Sequence, residues 1–124
     1  MVKALLDTNI LIDFLNGVHE ARQEIDLHDD KAISIVTWME VMVGAAPEVQ
    51  EATRAFLDGF DLVGVDGAVA DHAVTLRRQY RIKLPDAIIW ASAQTTGSLL
   101  VTRNHKDFPL NDPSVRIPYT LRLD

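Results

Sequence analysis

The chain contains no cysteine. A disulfide scaffold, a thiolate zinc site and a cysteine nucleophile are therefore excluded. No long apolar run is present either. The longest uncharged stretch, residues 87–102, is interrupted by Gln94, Thr95, Thr96, Gly97 and Ser98, far short of a bilayer span. The apolar start Ala4-Leu5-Leu6 ends at Asp7, too early for a secretory signal. The expectation is a cytoplasmic protein without membrane contact. Glycine and proline are few, 6 and 5, and they gather into no linker or repeat. Aromatic residues make up 6% of the chain. Phe14, Trp38, Phe56, Phe60 and Trp90 fit core or subunit contacts better than base-stacking platforms. Positive charge is in deficit, with 12 Lys and Arg against 18 Asp and Glu and a net charge of −6. That balance disfavours simple electrostatic binding of nucleic acid. Acids gathered around metal ions would leave the remaining charge nearly balanced.

What is present is an ordinary globular composition, 48% apolar and 24% charged, over 124 residues. This suits one domain, 1–124, with a real core. Short β-branched runs alternate with helical patterns. Strands are expected over 2–6, 32–36, 62–65 and 99–102, and a further edge strand fits 115–117, limited by Pro118. Helices are expected over 8–15, 18–27, 37–45, 48–60, 68–81 and 85–96, with Pro85 at a helix start and Gly97 as a cap. The alternation predicts an α/β fold, a mostly parallel central sheet flanked by helices on both faces. Ligands of such sheets bind at the carboxyl ends of the strands, where strand order reverses.

Four acids fall at those places. Asp7 follows the first strand directly, where it serves either as a helix N-cap or as a metal ligand. Glu40 lies among Trp38, Met39, Val41, Met42 and Val43. It either faces water from an apolar helix or is paired inside the protein. Asp86 opens the helix Asp-Ala-Ile-Ile-Trp-Ala, apolar nearly all round, where a first-turn anion is also structurally favourable. Asp107 sits past the strand at 99–102, in Arg103-Asn104-His105-Lys106-Asp107, and alone would read as a solvated loop acid. Clustered carboxylates repel one another unless a cation compensates. With no cysteine and no histidine set, the compensating ion would be hard, Mg²⁺ or Mn²⁺.

These residues resemble the PIN-domain nucleases, and within them the VapC-type toxins of toxin–antitoxin pairs. The matching pieces are Leu5-Leu6-Asp7-Thr8-Asn9-Ile10-Leu11-Ile12-Asp13, then Ser34 with Thr37 and Glu40 up to Gly44. Leu84-Pro85-Asp86-Ala87 with Ile89 and Ala91 follows, then Val101-Thr102-Arg103-Asn104 with Asp107-Phe108. The resemblance runs in order along nearly the whole chain. It implies a PIN-like fold and a Mg²⁺- or Mn²⁺-dependent endoribonuclease. Asp7, Glu40 and Asp86 would be metal ligands and catalytic residues, and Asp107 a fourth at a position that varies in the family. Thr8, Asn9, Ser34, Thr102 and Asn104 would orient carboxylates or metal-bound water. The product would carry a 5′-phosphate. The implied partners are an RNA, such as a tRNA or another structured RNA, a cognate antitoxin, and a second copy of the chain. The pair Trp38-Met39 departs from the usual small aliphatic residues without touching the catalytic set.

Arg81 and Lys83, beside Arg77 and Arg78, form a basic cluster next to Asp86 that suits phosphate contact. Arg103, His105 and Lys106 surround Asp107 and are further candidate RNA contacts. Asp13 is expected on a solvent-facing helix position, and His19, His28 and His72 at the surface. Two other functions compete. A signalling receiver domain needs paired acids after the first strand, but Thr8 and Asn9 follow Asp7. It also needs a lysine after the late strand, but Arg103 stands there. A non-catalytic protein keeping the fold would not need all four acids.

Overall fold

The structure, a computed structural model, describes residues 2–109 and 111–121. The elements in chain order are β1 (Ala4–Leu6), α1 (Thr8–Leu15), α2 (His19–Leu27), β2 (Lys31–Ser34), α3 (Ile35–Gly44), α4 (Gln50–Leu57), β3 (Asp61–Val63), α5 (Gly67–Tyr80), α6 (Leu84–Thr95), β4 (Leu99–Val101) and β5 (Val115–Arg116). Every strand pairing is parallel, in the order β3-β2-β1-β4-β5. The expected sheet, flanked on both faces, is what forms.

Alternation along the strands sets the two layers. Leu5, Ala32 and Leu100 enter one apolar cluster with Val69, Ala73 and Leu76 of α5 and Ala87, Ile89 and Trp90 of α6. Ala4, Leu6, Ile33 and Val101 enter the other, with Ile10 and Leu11 of α1, Ile25 of α2, Val41 of α3 and Leu57 of α4. The Val, Leu and Ile side chains among them contribute roughly 1.5–3 kcal/mol each when fully buried. The two clusters therefore hold the strand ends, and the acids beyond them, in fixed register.

Chain order moves outward from β1 to β2 and β3, then returns to the other side of β1 as β4 and β5. The reversal lies between β1 and β4, so a crevice is expected beyond Leu6 and Val101. The Asp7 N–H donates to the Val101 carbonyl at 2.8 Å, which carries the pairing one residue past β1.

Several boundaries differ from the sequence expectation by a residue or more, among them those of β2, α4 and β3. The second strand ends at Ser34, because the Ser34 hydroxyl accepts from the Val36 N–H at 3.1 Å and starts α3 early. The helix expected over 48–60 is interrupted. Pro47–Val49 forms a 3-10 turn, α4 ends at Leu57, and Phe60 turns into the core. The third strand, Asp61–Val63, begins one residue earlier than expected and is mostly exposed.

Candidate active site

Asp7 leaves β1 with extended backbone and caps α1, its Oδ1 accepting from the Thr8 N–H at 2.7 Å. The capping reading of Asp7 thus holds, and the cap stands at the carboxyl end of β1. Its Oδ2 accepts from Thr102 Oγ1 at 2.7 Å and from Asn9 Nδ2 at 3.3 Å. Asp7 is only 3% exposed. Burial, together with the nearby Asp86 and Glu40 carboxylates, pushes its carboxyl up to about 6 despite the hydrogen bonds from Thr102 and Thr8.

Glu40 stands one turn into α3, and its side chain is exposed at the crevice. Thr8 Oγ1 donates to Glu40 Oε1 at 2.6 Å. The Thr37 hydroxyl lies 3.0 Å from that of Thr8, and Thr37 is fully buried. Thr37 and Glu40 are three residues apart on α3 and share a face, the spacing by which the sequence could have revealed the threonine. Its role escapes the sequence reading.

Asp86 sits in the first turn of α6, whose start carries Pro85 and no side-chain cap. The helix N-terminus there is open to an anion. Burial and the charges of Asp107 and Glu40 raise the Asp86 carboxyl above its ordinary range, against a weaker opposite pull from Lys83. Asp107 is held in the loop after β4, where Asn104 Nδ2 donates to its Oδ2 at 2.8 Å. Asn104 Oδ1 in turn accepts from the Asp107 N–H at 3.2 Å. The Asn104 N–H rests on Thr102 Oγ1 at 3.0 Å.

Asp7 therefore feels the charges of Asp86 and Glu40, and Asp86 those of Asp107 and Glu40, at one end of the sheet. Among the described residues, no three carboxylate or imidazole groups close into a ready-made metal cage. The donor set nonetheless fits a hard divalent ion. All the donors are carboxylate oxygens, Asp7 and Asp86 are held above their ordinary pKa, and among the described residues Lys83 is the cation that offsets Asp86. Mg²⁺ keeps several of its waters and needs only one or two carboxylates directly.

The remaining expected residues separate. Thr8, Asn9, Thr102 and Asn104 each touch an acid or a group that holds one. Ser34 is fully buried at the end of β2 and caps α3, with no bond to the four acids among those described. Arg81 and Lys83 are exposed beside α6, Arg81 in the left-handed region that ends α5. His105 and Lys106 are exposed beside Asp107. Arg103 is half-buried, and its Nε and Nη2 lie 2.6 and 3.0 Å from the two carboxylate oxygens of Asp13.

Asp13 is thus not solvent-facing. It is 5% exposed, bound by Arg103 and by the Tyr119 hydroxyl at 2.8 Å. Burial and Asp13 raise the Tyr119 hydroxyl pKa above its ordinary range. His28 is also half-buried, its Nε2 2.7 Å from Glu24, and His72 is bonded to Gln94. Arg116 of β5 grips the same Glu24, Nε to Oε2 at 2.7 Å and Nη2 to Oε1 at 2.9 Å.

Residues 4–110 match the PIN domain family. No curated protein matches the chain. Among solved structures, a chain of a toxin–antitoxin complex from Klebsiella pneumoniae is 46% identical with a TM-score of 0.90, covering 96% of this chain and 100% of its own. DNA-bound VapBC from Salmonella typhimurium gives 26% identity and a TM-score of 0.77, covering 94% and 96%. VapBC2 from Rickettsia felis shares the fold at 22% identity and a TM-score of 0.76, covering 93% and 96%. A family match over most of the length, and near-complete overlap with chains of VapBC-type complexes, make this chain a member of the PIN-domain family, of the VapC type.

Proposed function

We propose that the chain is a toxin that cuts RNA, a Mg²⁺- or Mn²⁺-dependent endoribonuclease restrained by a cognate antitoxin. The observation that carries this is the Asp7 carboxyl, buried at the strand-order reversal and driven up to about 6 with Asp86 and Glu40 nearby. A buried acid under like-charge repulsion is costly unless a cation relieves it. Asp7, Glu40, Asp86 and Asp107 would hold that cation.

When bound at these carboxylates, the ion would supply acidification of water and charge neutralisation at the scissile phosphate. The chain's own residues prepare the place for this. Thr8 fixes two acids at once, Asp7 through its N–H and Glu40 through its hydroxyl. Thr102 and Asn9 fix the second oxygen of Asp7, and Asn104 fixes Asp107. The open N-terminus of α6 favours negative charge at Asp86 and at a phosphate beside it. Water adds to phosphorus, the bond to the 3′-oxygen breaks, and that oxygen leaves with a proton. The products carry a 5′-phosphate and a 3′-hydroxyl. The ribose 2′-hydroxyl takes no part, unlike in ribonucleases that form a cyclic phosphate.

The antitoxin reading draws on the likeness to the Klebsiella pneumoniae complex and on an apolar surface. A groove of about 630 Å³ runs between α1, α3 and α4, lined by Ile12, Leu15, Val41, Val49 and Ala52. Ile12, Leu15 and Val49 are exposed around it, as contiguous apolar surface at a partner site would be. A second copy of this chain is the other expected partner.

The test is incubation of the purified chain with total RNA and a tRNA pool in Mg²⁺ or Mn²⁺, with EDTA as control. Cleavage in metal, lost in EDTA and leaving 5′-phosphate ends, supports the reading. Cyclic-phosphate ends, or cleavage indifferent to EDTA, would overturn it.

A further inference from the structure

Beside the acids lies a second concavity of different character. A cleft of about 430 Å³ opens between the loop after β4 and the chain beyond β5. That volume is within the roughly 300–1,000 Å³ of ordinary ligand pockets. One wall is shared with the acidic centre. It consists of Asn9 and Asn104, whose amides donate to Asp7 at 3.3 Å and to Asp107 at 2.8 Å. The rest is lined by Arg103, His105, Lys106 and Thr120, with Leu121 adding apolar surface.

The two cations have different freedom. Arg103 is gripped through Nε and Nη2 by the buried Asp13, and its N–H rests on Asn9 Oδ1 at 3.1 Å. Its charge is offset and its guanidinium plane is fixed. Such a plane is a platform on which a base can stack. Lys106 is exposed and, among the described residues, makes no ion pair. It is available to a phosphate. His105 beside it is exposed and offers a ring and a donor.

We propose that this cleft is a nucleotide subsite, which takes one unpaired nucleotide of the RNA adjacent to the scissile phosphate. The base lies against the Arg103 guanidinium and the nucleotide's phosphate lies toward Lys106. The assignment rests on the nuclease reading and says which side of the acidic centre the strand occupies. An acidic side chain of a protein would engage Lys106 alone, whereas a nucleotide uses the cation, the plane and the apolar surface together. A paired base cannot reach the platform, because only splayed-out bases stack on side chains.

The experiment uses the full chain carrying Asp86→Asn, in Mg²⁺, titrated with a short single-stranded phosphorothioate RNA and with a duplex of the same sequence. Binding is read from the His105 ring proton signals and from the salt dependence of the affinity. The single strand should shift the His105 signals, and the duplex should shift them much less. Adding Lys106→Gln should lower the slope of log affinity against log salt by about 0.7, the loss of one phosphate contact on a single strand. Lys106 is exposed, so the substitution leaves the fold intact. Binding that leaves His105 unmoved, an equal response to the duplex, an unchanged salt slope, or no binding would each overturn the subsite. Cutting of the probe in the Asp86→Asn background would take Asp86 out of the catalytic set, and absence of RNA cleavage by the wild-type chain in Mg²⁺ would overturn the nuclease reading, while the His105 shifts would still report on the subsite.

Discussion

Thr102 Oγ1 donates a 2.7 Å hydrogen bond to Asp7 Oδ2, joining residues 95 positions apart. The two stand at the carboxyl ends of β4 and β1, the pair of strands between which the sheet changes direction. The same hydroxyl accepts from the Asn104 N–H, so one oxygen couples the buried acid to the loop that carries Asp107.

Thr102→Val tests that coupling. It keeps the shape and removes the hydroxyl, leaving a buried carboxylate oxygen short of a donor. A cost of about 1–3 kcal/mol in urea unfolding is expected. The Mg²⁺ concentration for half-maximal RNA cleavage should rise about 10–100-fold, as for other groups that orient a ligand. Unchanged metal dependence would show that Thr102 does not position Asp7.

The stability of the metal-free protein should respond to pH with two arms of opposite sign. The Asp7 carboxyl titrates near 6 in the fold against an ordinary 3.8. Between those values the folded protein keeps a proton that the unfolded chain has lost, so stability falls as pH rises through that window. The loss is at most roughly 3 kcal/mol. Asp7→Asn should flatten this arm in unfolding curves taken in EDTA.

Glu24 supplies the other arm. Burial pushes its carboxyl up, but hydrogen bonds from Arg116 and His28 outweigh burial and hold it below its ordinary 4.5. Its contribution is present above that value and fades as pH falls through the folded value. Glu24→Gln should remove the fading. An acid-side loss that persists unchanged in this variant would place its source elsewhere.

The Arg103–Asp13 pair should respond unequally to its two partners. The Asp13 side chain is 7% exposed and that of Arg103 27%. Removing Asp13 frees an arginine that can swing toward water. Removing Arg103 strands a buried carboxylate with, among the described residues, the Tyr119 hydroxyl alone. Arg103→Met should therefore cost about 3 kcal/mol in chemical unfolding, the low end for a broken buried pair. Asp13→Asn should cost distinctly less, and the reverse order would contradict this account of the pair.

Of the four candidate acids, Asp7, Asp86 and Asp107 each stand beside a local mark in the sequence. Asp7 follows an apolar strand, Asp86 follows Pro85, and Asp107 follows the last strong strand by a few residues. Parallel topology then brings those marks to one end of the sheet. Ser34, by contrast, was hidden by Ile35 and Val36, whose β-branching extends the apparent strand although the serine caps a helix. Asp13 and Glu24 carry no local sign of burial. Their partners, Arg103 and Arg116, are 90 and 92 residues away, and only the closed sheet brings them within reach. The helical break at residues 47–60 was half visible. Pro47 marks the break before residue 48, but Ala52, Ala55, Phe56 and Phe60 at helical spacing mask the end of α4 at Leu57.

The most direct test of the central claim compares the wild-type chain with Asp86→Asn for cleavage of RNA in Mg²⁺, with thermal unfolding of both. Asp86 is half-buried in the first turn of a central helix, and the substitution changes charge with little change in shape. The account predicts a loss of about 100-fold or more in cleavage rate, with unfolding temperatures close together. Wild-type cleavage by the folded variant would remove Asp86 from the site and contradict the mechanism.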